Sequence, residues 1–339
     1  MLAGPCPTCS DAEVTTHRSG RRAVIDLGSA TINLLVADVV RRGKKIRLNR
    51  VRTDSILVEL GRCLAETGGV SRGREALGDG IARFLVGAYD ASSIAVVGTA
   101  ALRTAPDGPQ VVADLERQYR ITIHLLSDRR EAELGVLGCA TDIRADGASL
   151  FVDMGGGSTQ IVHLAAGAIV ANHSLPLGSS LLAAALSDPI DEDGWRAVEA
   201  RVAGAVDALS ARAGFDPLDA LSVGGTARRL ASIAGGRSRG YAGVVLERAA
   251  IAKILGDLLR TDAGAYARRH DDDPARVRML APGALLLGAI LDRYGLSSTR
   301  VSPQGLREGV LLAALADPEG WWLEGRARPD PVDALSAPG

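Results

Sequence analysis

The sequence predicts an α/β protein made of two duplicated domains with a cleft between them. The chain has 339 residues, which suits two domains of ordinary size. Two similar segments, one near the N-terminus and one in the middle, each read as a buried strand, a turn of small residues and a second strand. The predicted elements then follow in the same order twice, β-β-β-α-β-α-β-α, which indicates an internal duplication.

In the first half, short apolar runs bounded by turn residues predict strands, and longer stretches with 3.6-residue periodicity predict helices. The first-half strands are expected near 22–28, 31–40, 45–54, 93–98 and 121–126. The first-half helices are expected near 72–90 and 108–118.

The second half follows the same pattern. Its strands are expected near 149–154, 158–164, 168–175, 219–223 and 298–302. Its helices are expected near 193–212, from 226, and over 247–260 and 277–294. We therefore predict a first domain over 21–128 and a second over 129–316, flanked by tails. Ligands tend to lie in the cleft between two such domains.

Composition excludes several classes of protein. Hydrophobic residues make up 47% of the chain and aromatic residues 3%, so aliphatic side chains supply the cores. The formal net charge of −1 argues against a dedicated nucleic-acid partner. No apolar run of the ~20 residues that span a bilayer is evident, and the N-terminus lacks a secretory signal. A cytoplasmic protein without membrane contact is expected.

The tails carry little information. Residues 1–20 are expected to be a flexible leader, and residues 317–339, rich in Pro, Asp and Ala, a poorly ordered tail. Cys6 and Cys9 form a lone C-P-T-C, which is either half of a zinc site or a redox pair, or part of a disordered tail. The last interpretation is favoured, because no second pair of cysteines follows.

The two hairpin turns carry the chemistry. The first contains Asp26, Gly28, Ser29 and Thr31, and the second contains Asp153, Gly155, Gly156, Gly157, Ser158 and Thr159. Small residues let backbone N–H groups approach an anion, and hydroxyl groups add donors. An aspartate at a strand end can hold a divalent cation. Two facing hairpins of this kind would bind a phosphate chain from both sides, although turn capping is a serious alternative for Asp26.

Seven segments in order give a more specific indication. They are AVIDLGS (23–29), GTAALR (98–103), SDRREAEL (127–134), DMGGGSTQ (153–160), LPLGS (175–179), SVGGTA (222–227) and VSPQGLREG (301–309). In these segments the chain resembles the exopolyphosphatase / guanosine pentaphosphate phosphohydrolase (Ppx/GppA) family, in its short two-domain form. The resemblance implies two ribonuclease H-like domains of the actin, sugar-kinase and heat-shock chaperone ATPase superfold. It also implies hydrolysis of a terminal phosphoanhydride with Mg²⁺, and a homodimer.

The resemblance also implies roles for individual residues. Glu131, at the start of a predicted helix, matches the family's catalytic glutamate, which orients or deprotonates the attacking water. Without the resemblance, a solvated first-turn glutamate would be the simpler interpretation. Asp153 matches the acidic residue of the second phosphate loop, which takes part in catalysis and binds metal. Asp26 and Gln160 complete the expected metal ligands.

Three further groups are expected near the phosphate chain. Gly224, Gly225 and Thr226 follow a strand and begin a helix, where backbone donors attract an anion. Arg103 either grips a phosphate oxygen with its planar guanidinium or forms a surface salt bridge. Arg307 and Glu308 are interpreted mainly as an internal ion pair near the domain interface.

The chain departs from the family pattern at the expected site. Gln160 stands where a glutamate is usual, and an amide lacks the charge that attracts Mg²⁺. Ala30 and Asn33 replace an asparagine and a basic residue. In the VELGR stretch (58–62) the charges are exchanged relative to the family.

Charges are also exchanged around Glu131, where Arg129, Arg130 and Glu133 replace residues of opposite sign. The two arginines could contact a phosphate chain, or they could be a solvated helix face, which we favour.

The first interpretation is a metal-dependent exopolyphosphatase, weakened by Gln160. Guanosine pentaphosphate is the alternative substrate, because no nucleobase pocket can be recognised in the sequence. A catalytically impaired sensor of polyphosphate or nucleotide is the main non-enzymatic alternative. A kinase or chaperone ATPase of the same superfold is disfavoured by the GLREG ending and by the 127–134 segment.

Overall fold

The fold was analysed in a computed structural model, which describes residues 16–42, 45–209, 215–235 and 244–324. Two mixed sheets organise it. The first sheet has the strand order β3-β2-β1-β4-β5, and the second has the order β10-β11-β9-β6-β7-β8. The strands are β1 (Thr16–Leu27), β2 (Thr31–Arg42), β3 (Lys45–Leu57), β4 (Ser93–Gly98), β5 (Ile123–Leu125), β6 (Ala148–Met154), β7 (Thr159–Ala165), β8 (Ala168–Leu175), β9 (Asp219–Val223), β10 (Val245–Glu247) and β11 (Ser298–Val301).

The helices cover the faces of these sheets. They are α1 (Leu60–Thr67), α2 (Arg74–Gly87), α3 (Ala100–Thr104), α4 (Gly108–Tyr119), α5 (Asp128–Gly138), α6 (Ser179–Ala183), α7 (Glu192–Asp207), α8 (Gly225–Gly235), α9 (Arg248–Leu259), α10 (Ala263–His270), α11 (Pro274–Arg278), α12 (Leu280–Arg293) and α13 (Leu306–Ala316).

Strand directions confirm the predicted duplication. In the first sheet β1 and β2, and β2 and β3, pair antiparallel, while β1 and β4, and β4 and β5, pair parallel. In the second sheet β6, β7 and β8 repeat the antiparallel pairs, and β6, β9 and β11 repeat the parallel pairs. β10 is an additional antiparallel edge strand. The predicted pair of ribonuclease H-like α/β domains is therefore present.

Side chains that alternate between the two faces of the central strands form four hydrophobic cores. In β1, Ile25 packs in the core under α2 and α4, while the neighbouring Val24 packs on the opposite face with α13. In β6, Leu150 belongs to the large core of the second domain, while Phe151 packs beneath α5. Because successive side chains of a strand point to opposite faces, each central strand is buried on both sides.

Helices α5 and α13 cross at glycines. A Cβ atom at Gly309 would lie 1.8 Å from the carbonyl oxygen of Leu134, and one at Gly138 would lie 1.9 Å from that of Gly305. Only glycine permits this approach. The crossing brings α13, the last helix of the described chain, against the first sheet at Val24. By packing, α13 therefore belongs with the first sheet, although it falls within the segment predicted as the second domain.

The ends of the chain differ from expectation. β1 begins at Thr16, inside the expected flexible leader, because Thr16, His17 and Arg18 pair with the end of β2. The C-P-T-C of Cys6 and Cys9 lies outside the described residues. In the expected C-terminal tail, Trp321 is only 4% exposed, and its carbonyl oxygen accepts a hydrogen bond from Arg130 Nε at 2.8 Å.

One stretch of the described chain, Pro274–Arg293, is long and apolar enough to cross a membrane, contrary to the sequence expectation. Its most apolar window is 61% buried, however, and Leu286, Leu287 and Ile290 lie in the large core of the second domain. Burial within the protein accounts for its composition.

Candidate active site

The hairpin ends place two aspartates at equivalent positions. Asp26 lies near the end of β1 opposite Asn33, and Asp153 lies near the end of β6 opposite Gln160. Each strand is central in its sheet, with an antiparallel neighbour on one side and a parallel neighbour on the other. The duplication therefore brings both carboxylates to the carboxyl ends of their sheets, where ligands bind in α/β folds.

The two turns touch each other. A Cβ at Gly156 would lie 2.7 Å from the Cβ of Ala30, and one at Gly157 would lie 2.3 Å from Ser29 Oγ. Packing between the loops thus requires small residues, independently of any phosphate. Ala30, where the family usually has asparagine, lies at this contact. The predicted clamp of two facing hairpins is present.

A cleft of about 700 Å³ opens above the loops. It is lined by most of the predicted site residues: Asp26, Gly28, Ser29, Thr31, Glu131, Asp153, Gly155, Gly156, Gly157, Ser158, Gly224, Gly225 and Thr226. Three predicted residues lie outside this lining, namely Arg103, Thr159 and Gln160. The structure therefore unites the glycine loops with the three carboxylates and separates them from the other three residues.

Glu131 lies in the first turn of α5. Ser127 caps this helix by accepting a hydrogen bond from the Arg130 backbone N–H at 3.2 Å. The Glu131 side chain is not the solvated first-turn glutamate of the alternative interpretation, because the residue is only 9% exposed. A buried carboxylate facing a cleft is a candidate catalytic group.

The three carboxylates influence one another. Burial raises the pKa of Glu131 to about 8; Arg103 lowers it, and the charges of Asp153 and Asp26 raise it further. Burial and Asp26 raise the pKa of Asp153 to about 6, against the opposing charge of Arg228. Burial also raises the pKa of Asp26, while Arg307, the amide of Asn33 and Arg228 lower it. Burial therefore disfavours the charged form of each of the three carboxylates.

The cleft contains arginines that the sequence did not predict as substrate-binding residues. Arg228 and Arg307 both line it, and the charge of each acts on Asp26. Arg50 also lines it, where Nε donates to Glu308 Oε1 at 3.1 Å and Nη2 donates to the Pro303 carbonyl at 2.9 Å. Arg276 lines it on the other side, beside Ser55. Arg228 was detectable, since it follows the GGT turn in the first turn of α8; the others depend on long-range folding.

Arg103 faces away from the predicted phosphate position. Its Nη1 donates to Glu131 Oε2 at 3.0 Å and to the Leu126 carbonyl at 2.6 Å, and its Nη2 pairs with Asp128. Its side chain is only 18% exposed. The expectation that Arg103 grips phosphate is not supported by this geometry, nor is it a surface salt bridge. It is a partly buried partner of Glu131.

Thr159 is also turned away from the cleft. Its hydroxyl donates to the Leu177 carbonyl at 2.8 Å, and the residue is fully buried. The Ser29 hydroxyl also has a partner within the protein, since its Oγ accepts a hydrogen bond from the Ala101 backbone N–H at 3.1 Å. Thr226 packs its methyl group near Gly283 of α12. The Thr159 hydroxyl is therefore not free to donate to a bound phosphate.

The turn before α8 is shaped by its glycines. Gly224 has a φ of +97°, and a Cβ there would lie 2.4 Å from the Met154 carbonyl oxygen. Gly225, the first residue of α8, has open space around its Cβ position. The N-terminus of α8 therefore borders the cleft without an obstructing side chain, as an anion site requires.

Charge exchange near Glu131 preserves ion pairs. Arg129 Nε lies 3.1 Å from Glu133 Oε1, and Arg130 Nη1 lies 3.0 Å from Glu133 Oε2. The expected solvated face is correct for the exposed Arg129 and wrong for Arg130, which is 4% exposed. Arg130 is held inside by Glu133 and by the Trp321 carbonyl.

The predicted pairing at residues 307 and 308 also needs correction. Glu308 forms its ion pair with Arg50, at 2.9 Å, and accepts a hydrogen bond from the Gly305 N–H at 3.0 Å. Arg307 instead donates to the Leu34 carbonyl at 3.0 Å. Both residues lie in the first turn of α13, and Arg307 faces the cleft with its charge directed at Asp26.

The fit to a divalent metal rests on oxygen donors. Asp26 Oδ1 is buried and has no hydrogen-bond partner among the described residues. These described residues contain no cluster of three His, Cys, Asp or Glu side chains arranged to hold a metal. Mg²⁺ commonly uses one or two carboxylates and completes its shell with water and substrate phosphates. Asp26 and Asp153 fit that mode of binding.

Comparison with known proteins identifies the family. Residues 30–317 match the Ppx/GppA phosphatase family. The chain is 27% identical to the uncharacterized protein SCO0757 of Streptomyces coelicolor, over 91% of this chain and 95% of that protein. It is 26% identical to a putative exopolyphosphatase of Haemophilus influenzae, over 87% and 92%.

A solved structure shows the same fold. The crystal structure of an exopolyphosphatase from Cytophaga hutchinsonii superposes with a TM-score of 0.79 at 21% identity, covering 89% of this chain and 99% of that one. The match to the family extends over most of the chain, from the first phosphate loop to the end of α13. The chain therefore belongs to the Ppx/GppA phosphatase family.

Proposed function

We propose that this protein is a metal-dependent exopolyphosphatase, which releases terminal phosphate from inorganic polyphosphate. The observation that carries the proposal is the cleft itself, where a buried glutamate faces two glycine-rich turns and arginine side chains line the walls. Hydrolysis of a phosphoanhydride needs a positioned water, neutralised phosphate oxygens and an in-line geometry. Each requirement has a candidate in this cleft.

Glu131 is the proposed base. Arg103 occupies its Oε2, so we assign the contact with the attacking water to Oε1. The carboxylate would orient the water and accept its proton as the oxygen bonds to phosphorus. The raised pKa of Glu131 makes the carboxylate a stronger base than an exposed glutamate, once it is ionised.

Asp153 and Asp26 are the proposed protein ligands of Mg²⁺, and substrate oxygens and water would complete its shell. When bound, the metal would neutralise phosphate oxygens. The backbone N–H groups of Gly156 and Gly157 would bind the terminal phosphate, since that of Gly155 donates to the Ser158 carbonyl within the turn. The N-terminus of α8 would bind the next phosphate. Arg228 and Arg276 would hold the continuing chain.

We propose inorganic polyphosphate rather than guanosine pentaphosphate as the substrate, because arginine side chains line the walls of the cleft. Guanidinium groups recognise phosphate oxygens and need no nucleobase. We further propose a homodimer, from the family resemblance alone; light scattering on the purified protein would test it.

The deciding experiment measures phosphate release from long-chain polyphosphate and, in parallel, from guanosine pentaphosphate, with Mg²⁺ titrated. Metal-dependent release from polyphosphate at the higher kcat/KM would support the proposal. Preferential hydrolysis of the nucleotide would replace the substrate and keep the mechanism. Tight polyphosphate binding with no release at any metal concentration would instead favour a catalytically impaired sensor.

A further inference from the structure

Gln160 occupies a buried position behind the catalytic cleft. The residue is 1% exposed and lies in β7, opposite Asp153 of β6 and Ser174 of β8. Its Nε2 donates to Ser174 Oγ at 3.1 Å and to Asp128 Oδ1 at 3.4 Å. It does not line the cleft in which the substrate would bind. Its Nε2 therefore contacts β8 and the first residue of α5, while its Oε1 is buried without a hydrogen-bond partner among the described residues.

Asp128 connects Gln160 to the proposed base. The same Oδ1 atom that accepts from Gln160 also pairs with Arg103 Nη2, and Arg103 Nη1 donates to Glu131 Oε2 at 3.0 Å. Arg103 is fixed further by the Leu126 carbonyl. A continuous set of hydrogen bonds thus runs from Ser174 through Gln160, Asp128 and Arg103 to Glu131.

The charge balance of this network requires a neutral donor at position 160. One guanidinium, that of Arg103, already serves two carboxylates, those of Asp128 and Glu131. A glutamate at 160 would place a third carboxylate about 3.4 Å from Asp128, and the two like charges would repel each other, although the Asp128 side chain is 47% exposed. An amide instead donates a hydrogen bond to Asp128, which is what the carboxylate needs.

We infer that Gln160 is a positioning residue, which holds Asp128 and Arg103 so that Arg103 orients Glu131 toward the attacking water. The inference rests on the proposed function, and it gives Gln160 a role other than that of a weakened metal ligand. The glutamine and Asp128 form a matched pair: the donor at 160 suits the acceptor at 128.

Reversing this pair tests the inference. Q160E, D128N and the double variant Q160E/D128N are compared with the wild type in polyphosphate hydrolysis at saturating Mg²⁺. Q160E is expected to lower kcat about tenfold or more with little change in KM, because misorientation of the base acts on the chemical step. In the double variant, the carboxylate introduced at position 160 no longer faces a carboxylate at position 128, and the amide oxygen introduced there can still accept from Arg103. Most of the lost kcat should therefore return.

A matched control separates this effect from the chemical change itself. Gln110 Nε2 donates to Asp114 Oδ1 at 2.9 Å on the exposed face of α4, the same kind of contact without the burial or the link to Glu131. Q110E should leave kcat and KM unchanged. Thermal unfolding of all variants shows whether each is folded, and the non-additivity of Q160E and D128N in Tm reports their coupling without any substrate.

The outcomes are distinguishable. A wild type that hydrolyses no phosphoanhydride overturns the proposed function, and the positioning role with it. An active wild type whose Q160E variant releases phosphate faster at limiting Mg²⁺, with no response to D128N, overturns the positioning role alone and makes residue 160 a metal ligand. An active wild type with loss in Q160E and recovery in Q160E/D128N supports the inference.

Discussion

The two hairpins of this protein share one backbone plan and differ in how their aspartates are compensated. Asp26 in the first hairpin accepts a hydrogen bond from Asn33 at 3.2 Å and is offset by the charges of Arg307 and Arg228. Asp153 in the second is offset by Arg228 alone, and its pKa is raised to about 6. The duplicated element has thus diverged: burial raises the pKa of both aspartates, but two arginines and an amide oppose this at Asp26 and one arginine opposes it at Asp153.

The same contrast applies to the turns themselves. The first turn has one glycine, whose Cβ position meets the Thr31 carbonyl at 2.8 Å, so Gly28 closes its own hairpin. The second has three consecutive glycines, of which Gly156 and Gly157 make room for the first turn. The glycine of the first turn therefore shapes its own hairpin, while two glycines of the second turn allow the two turns to meet.

Removing the proposed base, Glu131, should have the largest effect on phosphate release. Glu131→Gln keeps the shape of the side chain and removes the base, so phosphate release should fall by about 10²- to 10⁴-fold. The measurement is kcat on polyphosphate at saturating Mg²⁺, with the exposed Glu199→Gln as the control. Unchanged turnover in Glu131→Gln would show that another group activates the water.

Neutralising each aspartate in turn should show that the two hairpins have different roles. Asp153→Asn should raise the Mg²⁺ concentration for half-maximal release by about 10- to 100-fold, in the range found when a metal site is disturbed. Asp26→Asn should raise it less and should instead lower the unfolding temperature, because the buried Arg307 would lose one of the two carboxylates, Glu308 and Asp26, whose charges stabilise it.

Metal titrations and thermal unfolding of both variants give the comparison. Equal metal requirements and equal unfolding temperatures for the two variants would contradict the division of roles.

Replacing glycines with alanine tests the contact between the two turns. Gly156→Ala should lower the free energy of unfolding by about 1–3 kcal/mol, because its Cβ would overlap Ala30. Gly225→Ala, with open space at its Cβ position, should change it by less than about 0.5 kcal/mol. Urea unfolding of the metal-free variants measures both values. A stable Gly156→Ala protein would mean that the turns can move apart at little cost.

The smallest expected effect is the pH dependence of stability without metal. The pKa of Glu131 is raised to about 8 and that of Asp153 to about 6, so the folded state keeps protons that the unfolded chain has already lost. Unfolding then becomes more favourable as pH rises from about 4 to 8, and below that window the two groups contribute nothing.

Because of these residues, the free energy of unfolding measured with urea should be lower at pH 8 than at pH 5 by about 1 kcal/mol or more. Glu131→Gln should reduce this difference. Saturating Mg²⁺ should also reduce it. A decrease of the same size in Glu131→Gln would assign the pH dependence to other groups.

Much of the fold could be predicted from the sequence because hydrophobic patterns are local. The strand at Ser93–Gly98 and the strand at Asp219–Val223 lie where the apolar runs predicted them. Helix α1 (Leu60–Thr67) was missed because it is short and because Glu59, the residue before it, has a left-handed φ of 50°. Helix α13 was missed because its apolar face packs on α5 and the first sheet, contacts that no local pattern encodes.

The residues of the candidate site also differ in how well the sequence predicted their positions. Residues at turns, such as Asp153 and Gly156, reach the cleft because the hairpin alone determines where they lie. Arg103 and Gln160 do not, since the direction of a side chain depends on partners far along the sequence, here Asp128 and Glu131. Arg307 reaches Asp26 only through the return of α13 to the first sheet.

The docking of Trp321 on Arg130 gives the protein a built-in optical probe. The chain has three tryptophans, and two of them are adjacent, at 321 and 322. The Trp322 ring stacks on His124 with centroids 4.0 Å apart, and the Trp321 carbonyl holds Arg130, the residue before Glu131. Indole emission depends on the ring's surroundings, so a shift of the first turn of α5 would change the fluorescence of the unlabelled protein. Substrate binding could then be followed at the base itself, in real time and before any phosphate is released.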